Sequence, residues 1–335
     1  AERTMFYGKG DVYVFRTYAN PLKGLKQIPE SNFTEKHNTI FGMNAKVALK
    51  GEQLLTSFTE GDNSLVVATD SMKNFIQRHA ASYEGATLEG FLQYVCEAFL
   101  AKYSHLDAVR LEAKEYAFDD IQVGTDKGVV TSDLVFRKSR NEYVTATVEV
   151  ARTASGTEVV EQASGIADIQ LIKVSGSSFY GYIIDEYTTL AEATDRPLYI
   201  FLNIGWAYEN QDDAKGDNPA NYVAAEQVRD IAASVFHTLD NKSIQHLIYH
   251  IGLTILDRFP QLTEVNFGTN NRTWDTVVEG TDGFKGAVFT EPRPPFGFQG
   301  FSVHQEDLAR EKASANSEYV ALKLAAALKH HHHHH

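Results

Sequence analysis

Six residues spread along the chain have side chains suited to holding and deprotonating a flat, polar small molecule. They are Lys9, Thr69, Asp70, Phe179, Arg196 and Gln245. An Arg guanidinium and a Gln amide can together hold the edge of an amide-rich heterocycle, and a Phe ring can stack on its face. A lysine beside a threonine can transfer protons when burial lowers the pKa of the lysine.

The position of Gln245 adds a second feature to this set. Ser243 is a typical helix N-cap, so Ile244 and Gln245 are the first two residues of the predicted helix. The first N–H groups of a helix have no partner within it and attract negative charge. The Ile244 N–H and the Gln245 side chain are therefore predicted to form an anion-binding site.

Each of these residues also has an ordinary interpretation, which is preferable when the residue is taken alone. Lys9, between Gly8 and Gly10, suits a solvated turn, and Thr69 with Asp70 suits a helix cap. Arg196 next to Asp195 suits a surface ion pair worth about 0–1 kcal/mol. Phe179 suits a core, and Gln245 a solvated helix start. Only convergence in the fold would turn the set into a site.

The elements that must position these residues follow from hydrophobic periodicity. In the first half, strands are predicted at 4–17, 39–47, 64–68, 109–118, 129–137 and 142–152, with helices at 72–78 and from 88, capped by Thr87. In the second half, strands are predicted at 169–174, 179–184, 197–206, 264–268, 285–290 and 296–303. The helices there follow Asn218-Pro219 and Ser243.

The two halves repeat each other. A shift of 156 positions aligns the second helix of each half, its exit turn and the following strand without a gap, so that Thr87 meets Ser243 and Leu111 meets Phe267. Helices grouped between runs of strands favour an α+β fold with antiparallel sheets. Because such sheets have edges that must be covered, we expect an oligomer. The predicted domains are 1–152 and 153–322.

Composition excludes several classes of function. The chain has 335 residues, 43% hydrophobic and 22% charged, and it ends in a predicted vector linker and His tag at 323–335. Without Lys323 and Lys329 the net charge of −13 becomes −15, which argues against nucleic-acid binding. No apolar run is long enough for a membrane span, and no signal peptide is predicted. No nucleotide-binding glycine motif is present.

The sequence also argues against a metal centre. Cys96 is the only cysteine, so neither a disulfide framework nor a thiolate metal site is expected. Six of the 13 His belong to the tag. His246 and His250 have i,i+4 spacing but lack the Glu of a zinc protease motif, so we interpret them as packing or solvated residues. If the protein is an enzyme, it is expected to work without a bound cofactor.

Five segments resemble the urate oxidase (uricase) family, most closely its bacillus-type members. They are YGKGDV (7–12), NSLVVATDSMKN (63–74), SFYGYIIDEYTTL (178–190), TDR (194–196) and SIQ (243–245). The similarity extends along essentially the whole native chain. It implies the tandem T-fold, two antiparallel sheets each with a helix pair, assembled as a homotetramer around a tunnel. It also implies cofactor-free oxidation of urate by O2 and water to 5-hydroxyisourate and hydrogen peroxide.

The resemblance also implies roles for the candidate residues. Arg196 and Gln245 would clamp the purine edge, Phe179 would stack on the ring, and the Ile244 N–H would bind a carbonyl oxygen. Lys9 and Thr69 would form the proton relay, and Asp70 would add a backbone contact. Lys9, Thr69 and Asp70 would come from a neighbouring subunit, so that the site would span an interface.

One stretch departs from the family pattern. After the last helix the family usually has Asn-x-His, whose Asn holds O2 or water and whose His completes the relay. Here either Asn270 or Asn271 can be the Asn, and Arg272 stands at the His position. An Arg cannot shuttle protons near neutral pH. We therefore expect Lys9 and Thr69 to carry the relay through ordered water, with Arg272 as a positive charge that favours neutral Lys9.

Several alternatives remain at this stage. The chain could be another T-fold enzyme acting on pterins, although those enzymes typically anchor their substrate with Glu and often bind zinc through His. It could also be a catalytically weakened relative that binds purines. Glu89 stands in the first half where Gln245 stands in the second, so we predict one urate site per chain. The stretch 305–322 is either disordered or docked on a neighbour, and its lack of a peroxisomal ending favours the bacterial cytoplasm.

Overall fold

The computed structural model describes residues 1–138, 141–281 and 285–333. Its contacts divide the chain into two compact units. The first unit contains Ala1–Gln27, Phe33–Ala167 and Asn210–Ala225, and the second contains Ile28–Asn32, Asp168–Glu209 and Glu226–His335. The repeat boundary between residues 152 and 153 stays a prediction, and the last two tag residues lie outside the described part.

The first unit is built around antiparallel strands. Its strands are β1 (Tyr7–Thr17), β2 (Ile40–Lys50), β3 (Ala108–Glu115), β4 (Asp119–Thr125), β5 (Gly128–Arg137), β6 (Tyr143–Thr153) and the first part of β7 (Gly156–Phe179). Its helices are α1 (Leu55–Thr59), α2 (Thr69–Ser82) and α3 (Leu88–Lys102), with short 3-10 helices at Glu52–Leu54, Gln211–Lys215 and Pro219–Asn221. β1, β2, β3, β6 and β7 are neighbours in that order, and β4 and β5 form a separate hairpin.

Alternation along the strands explains how this unit forms its core. In β2, Met43, Ala45, Val47 and Leu49 are all buried, whereas Lys46 between them is exposed. The buried positions lie in one cluster with Phe91, Val95 and Phe99 of α3. α2 contacts β1, and α3 contacts β3 and β6. Successive strand residues point to opposite faces, so one face packs on the helices and the other is left open.

The second unit repeats this plan. After the end of β7 it contains β8 (Ala193–Tyr208), α4 (Ala225–Thr238), α5 (Ile244–Arg258), β9 (Leu262–Arg272), β10 (Asp275–Val278), β11 (Val288–Thr290) and β12 (Gly297–His304). The helices α6 (Gln305–Ala313) and α7 (Glu318–His333) follow. β8, β9 and β12 are antiparallel neighbours, and α5 contacts β9 and β12. The predicted α+β class with antiparallel sheets is confirmed.

Three predicted elements differ from the structure. The apolar run Ser64–Ala68 is irregular, because Val67 bonds through its N–H and C=O to the Tyr7 hydroxyl at 2.8 and 3.0 Å. The predicted strand at 179–184 is absent, since β7 ends at Phe179. Asn218 begins only a single 3-10 turn, and α4 starts at Ala225.

The segment 305–322, predicted to be disordered or docked on a neighbour, folds as α6 and the start of α7 against α5 of its own unit. Lys312 Nζ lies 2.8 Å from one Asp257 carboxylate oxygen, and the Tyr319 hydroxyl donates to the other at 2.6 Å. Burial acts to raise the carboxyl pKa of Asp257, but its bonds to Lys312, to Lys323 of the predicted vector linker and to Tyr319 hold that pKa well below its usual range. Among the described residues, no helix is long and apolar enough to cross a membrane.

Candidate active site

The start of α5 has the cap that the sequence predicts. Ser243 is extended, and its hydroxyl accepts a hydrogen bond from the His246 N–H at 3.1 Å. Ile244 is buried at 7% exposure, and Gln245 is exposed. The Ile244 N–H belongs to the first turn, where no carbonyl of the helix is within reach. This helix start therefore offers an N–H and an exposed amide side by side.

Arg196 lies near the start of β8, with its guanidinium carbon 5.3 Å from the centre of the Phe179 ring. Within the described part of the chain, its Nε is buried without a hydrogen-bond partner. Burial lowers the pKa of Arg196, although an Arg remains protonated near neutral pH. A buried N–H without a partner is unfavourable, so this edge of the guanidinium is suited to an anionic or carbonyl-rich ligand.

Two residues that sequence reasoning missed hold Arg196 and Phe179 in place. The Asp195 carboxylate accepts from the Gly176 N–H at 2.7 Å and from the Ser175 hydroxyl at 2.9 Å. It thereby ties the start of β8 to the end of β7. The surface ion pair considered for Asp195 and Arg196 is replaced by these bonds, because the carboxylate is engaged by the neighbouring strand.

The second of these residues is Asn241, which is fully buried just before α5. Its carbonyl accepts from the Ser178 N–H at 3.0 Å, and its side-chain oxygen accepts from the Ser177 hydroxyl at 3.1 Å. These contacts fix the end of β7, and so Phe179, beside the segment that leads into Gln245. Nothing in the local sequence distinguishes Asn241 from any other loop Asn.

Asn270, Asn271 and Arg272 are consecutive in β9, but their side chains do not all lie on the same face of the sheet. Asn271 pairs with Ile200, which is completely buried on the helix-facing side. Asn270 pairs with Phe201 and Arg272 with Tyr199. Because directly paired residues share a face, Asn271 lies on the side of α5, as Arg196 does by alternation. Asn270 and Arg272 lie on the opposite side.

The side-chain contacts agree with that separation. Asn271 Oδ1 accepts from Gln299 Nε2 at 3.1 Å, and Gln299 Oε1 accepts from the Thr269 hydroxyl at 2.9 Å. The Arg272 guanidinium instead stacks between two rings, 4.0 Å from the centre of Phe201 and 4.5 Å from that of Phe296. The sequence placed these residues in one stretch, and the pleat divides them.

A cavity of about 320 Å³ lies beside Arg196. Its lining includes Arg196, Thr273, Trp274, Glu279 and Phe289. This volume is at the lower end of the range for small-molecule sites, and among the described lining residues Arg196 is the only sequence candidate. Thr273, which follows Asn271 by two residues, was not among the sequence candidates.

In the first unit, Lys9 is brought near the start of α2. Lys9 is half-buried on β1 and pairs with Val47, which faces the core. Asp70 is exposed and forms an ion pair with Lys73 at 2.9 Å. The hydrogen bond and charge of Lys73 lower the pKa of Asp70, and the charge of Lys9 adds to that effect. Gly8 serves strand pairing, because a Cβ there would overlap the Val47 carbonyl oxygen.

Thr69 is not a helix cap, contrary to the ordinary interpretation. It is the first residue of α2, and the N-cap position is held by Ala68 without any side-chain bond. The neighbouring Tyr7 positions this segment, since its hydroxyl bonds both backbone groups of Val67. Tyr7 precedes Lys9 by two residues, and Val67 precedes Thr69 by two. The bond therefore links the strand of Lys9 to the helix start of Thr69.

Comparison with known proteins identifies the family. The uricase family model matches residues 5–147 and 162–299. The chain belongs to the uricase family. It is 55% identical over 322 residues to the uric acid degradation bifunctional protein PucL of Bacillus subtilis, covering 96% of this chain and 65% of that protein. It is also 51% identical to a uricase of Haloferax volcanii, covering 91% of this chain and 99% of the relative.

The fold agrees with solved members of this family. A crystal structure of a uricase from Bacillus fastidious superposes with a TM-score of 0.92 at 98% identity, covering 95% of this chain and 99% of that one. The fold is therefore the family's tandem T-fold. The chain spans 65% and 62% of the length of two bifunctional Bacillus relatives.

Proposed function

We propose that this protein is a cofactor-independent urate oxidase. It oxidises urate with O2 and water to 5-hydroxyisourate and hydrogen peroxide, so that two electrons leave urate and reduce O2. The observation that carries the proposal is the half-buried Arg196, which lies beside Phe179, lines the 320 Å³ cavity and has a buried Nε without a hydrogen-bond partner in the described part of the chain. Membership of the uricase family supports the choice of urate over other heterocycles.

The substrate contacts follow from the second unit. The Arg196 guanidinium and the Gln245 amide clamp the purine edge, and Phe179 stacks on the ring. The Ile244 N–H binds a carbonyl oxygen at the positive end of α5. Since the whole chain is acidic, binding of an anion depends on this local positive charge rather than on the net field.

The proton relay belongs to the first unit. Lys9 and Thr69 form the relay that completes the deprotonation of urate, with ordered water carrying the proton away, while the backbone of Asp70 contacts the substrate. The approach of Lys9 to the start of α2 supports this pairing. In the proposed assembly, a homotetramer, these three residues reach the substrate held by a neighbouring subunit. A bacterial cytoplasmic location is part of the same proposal.

For the O2 or water position we propose Asn271 rather than Asn270. Asn271 shares the helix-facing side with Arg196, whereas Asn270 and Arg272 face the other way. The stacking of Arg272 between Phe201 and Phe296 supports a packing role for this residue. The expectation that Arg272 favours neutral Lys9 stays a prediction.

Loss of urate absorbance together with peroxide release, measured in chelator-treated buffer, tests the proposal. Arg196→Gln is expected to lower kcat/KM by at least about 100-fold, because it removes a charged contact to the anionic substrate. Arg310→Gln, the same change at an exposed residue of α6, is the matched control and is expected to stay within about threefold of the parent. Equal loss in both variants would contradict the assignment.

The same assay separates the alternatives. A pterin-directed T-fold enzyme would leave urate unchanged, and a purine-binding relative without activity would bind a urate analogue without releasing peroxide. Gln rather than Glu at position 245 disfavours a pterin enzyme, which typically anchors its substrate with a carboxylate.

A further inference from the structure

A cluster outside the proposed active site joins α5 to the start of α7. His246 and His250 lie one turn apart on α5, and Glu318 is the first residue of α7. The Nε2 atoms of the two imidazoles lie 3.0 and 3.8 Å from the same Glu318 oxygen. The ligand atoms of all three residues lie within 4.8 Å of one another. The sequence offered only the His pair, because Glu318 lies far along the chain.

We propose that His246, His250 and Glu318 form a binding site for a divalent transition-metal ion of the zinc class. Two imidazoles and one carboxylate, with a fourth position open to water, are a ligand set that zinc accepts. Imidazole nitrogens favour zinc, copper or nickel over magnesium and calcium, which prefer oxygen ligands. The site lies on the second unit and is separate from the proposed chemistry, which requires no metal.

Burial and rigidity support a site rather than a surface coincidence. The His250 side chain is 7% exposed and that of His246 18%, so two of the three ligands are already desolvated. The rings of Tyr249 and Tyr319 pack against His250 with centroids 5.9 and 6.3 Å away. A metal would replace the single hydrogen bond between His246 and Glu318 with three coordinate bonds and would fasten α7 to α5.

Metal binding must also break one hydrogen bond. The Lys242 N–H donates to Nδ1 of His246 at 3.1 Å. When Nε2 of a neutral imidazole binds a metal, Nδ1 carries the proton and cannot accept that bond. Occupancy therefore changes the contacts of Lys242, immediately before the cap Ser243, and moderate affinity is expected.

Thermal unfolding with and without zinc tests the proposal, using the metal-stripped full chain. The tag also binds zinc, so the effect of the site is the difference in the zinc-induced shift between the parent and the ligand variants, which all carry the tag. Zinc at about 100 times its dissociation constant is expected to raise Tm by roughly 5 °C in the parent. Magnesium is expected to leave Tm unchanged.

The variants make the test specific to the three ligands. Glu318→Gln and His250→Asn are expected to abolish most of the zinc-induced shift, and the exposed His237→Asn is expected to retain it. Glu318→Gln is the informative change if His250→Asn unfolds, because Glu318 is 46% exposed. An equal zinc shift in Glu318→Gln and the parent, or no shift in the parent, would overturn the proposal. Urate turnover plays no part in this readout.

Discussion

The helix starts of α3 in the first unit and α5 in the second are equivalent. They have the same kind of N-cap but differ in the residue that follows two positions later. Thr87 caps α3 by accepting from the Gly90 N–H at 3.0 Å, as Ser243 caps α5. Two residues later the first unit has Glu89 and the second has Gln245. Glu89 is 2% exposed, whereas Gln245 is exposed to solvent.

At the start of α3, the Glu89 side chain is hydrogen-bonded by other residues of the same unit. The Glu89 carboxylate accepts from the Ser164 hydroxyl at 2.7 Å and from the Tyr222 hydroxyl at 2.9 Å. Burial raises the pKa of Glu89, and the charge of Lys36 opposes that rise. Both carboxylate oxygens are thus engaged by side chains of the same unit, so we interpret the group as structural.

The strands extend the contrast. The 156-residue shift places Asn271 against Glu115, which forms an ion pair with Lys36. Leu111 and Phe267 are equivalent, and they pair with Val47 and Ile204, so those two residues are equivalent as well. Eight residues earlier in the chain, the position equivalent to Arg196 is Thr39. Two carboxylates and a threonine in the first unit thus correspond to two amides and an arginine in the second. Only the second set suits a purine anion.

The two units therefore share the caps and the strand pairing and differ in the groups at the helix start. One urate site per chain is the expectation, formed by the second repeat. Titration with a urate analogue is expected to give one equivalent per chain, and a second equivalent would contradict it.

The largest effect on activity is expected from replacing Gln245 at the start of α5 with Glu, the residue that the start of α3 has at the equivalent position. Gln245→Glu replaces a donor with a negative charge beside an anionic substrate, and such like-charge placements are unfavourable by several kcal/mol. We expect kcat/KM for urate to fall by roughly 100-fold or more, mainly through KM. Steady-state assays check this, and Gln245→Asn is the uncharged control. A variant with normal KM would remove Gln245 from the clamp.

The two caps are expected to differ in their contribution to stability. Ser243→Ala removes one capping bond, worth about 1 kcal/mol. Thr87→Ala removes the same bond and also leaves the Lys215 carbonyl, 2.7 Å from the Thr87 hydroxyl, without its donor. The expected loss is therefore about 2–3 kcal/mol. Denaturant unfolding measures both, and equal losses would mean that the two starts are energetically alike.

The smallest effect concerns the pH dependence of Glu89. Its pKa in the folded protein is raised above the usual 4.5, so folding favours the protonated form. Stability from this group is complete below the unfolded-state pKa and declines as pH rises towards the folded-state value. Glu89→Gln lacks that decline, so its stability relative to the parent should increase with pH. A difference that stays constant from acid to neutral pH would contradict the burial argument.

The sequence by itself determined the caps at Thr87 and Ser243, most of the strands, the repeat and the family resemblance. Thr87 and Ser243 were identifiable because a cap depends on one side chain and the three residues after it. The strands were identifiable because alternation is local. The run Ser64–Ala68 was predicted wrongly, since its backbone bonds go to the distant Tyr7 hydroxyl rather than to a strand.

Only the tertiary structure decided which residues share a face and which are satisfied. Asn270, Asn271 and Arg272 are consecutive, yet strand pairing places Asn271 with Ile200 and stacks Arg272 between two phenylalanines. Glu89 and Gln245 differ in burial because Tyr222 and Ser164 reach one of them from distant parts of the chain. Such contacts depend on strand register and packing, which join residues far apart in sequence and leave no local pattern.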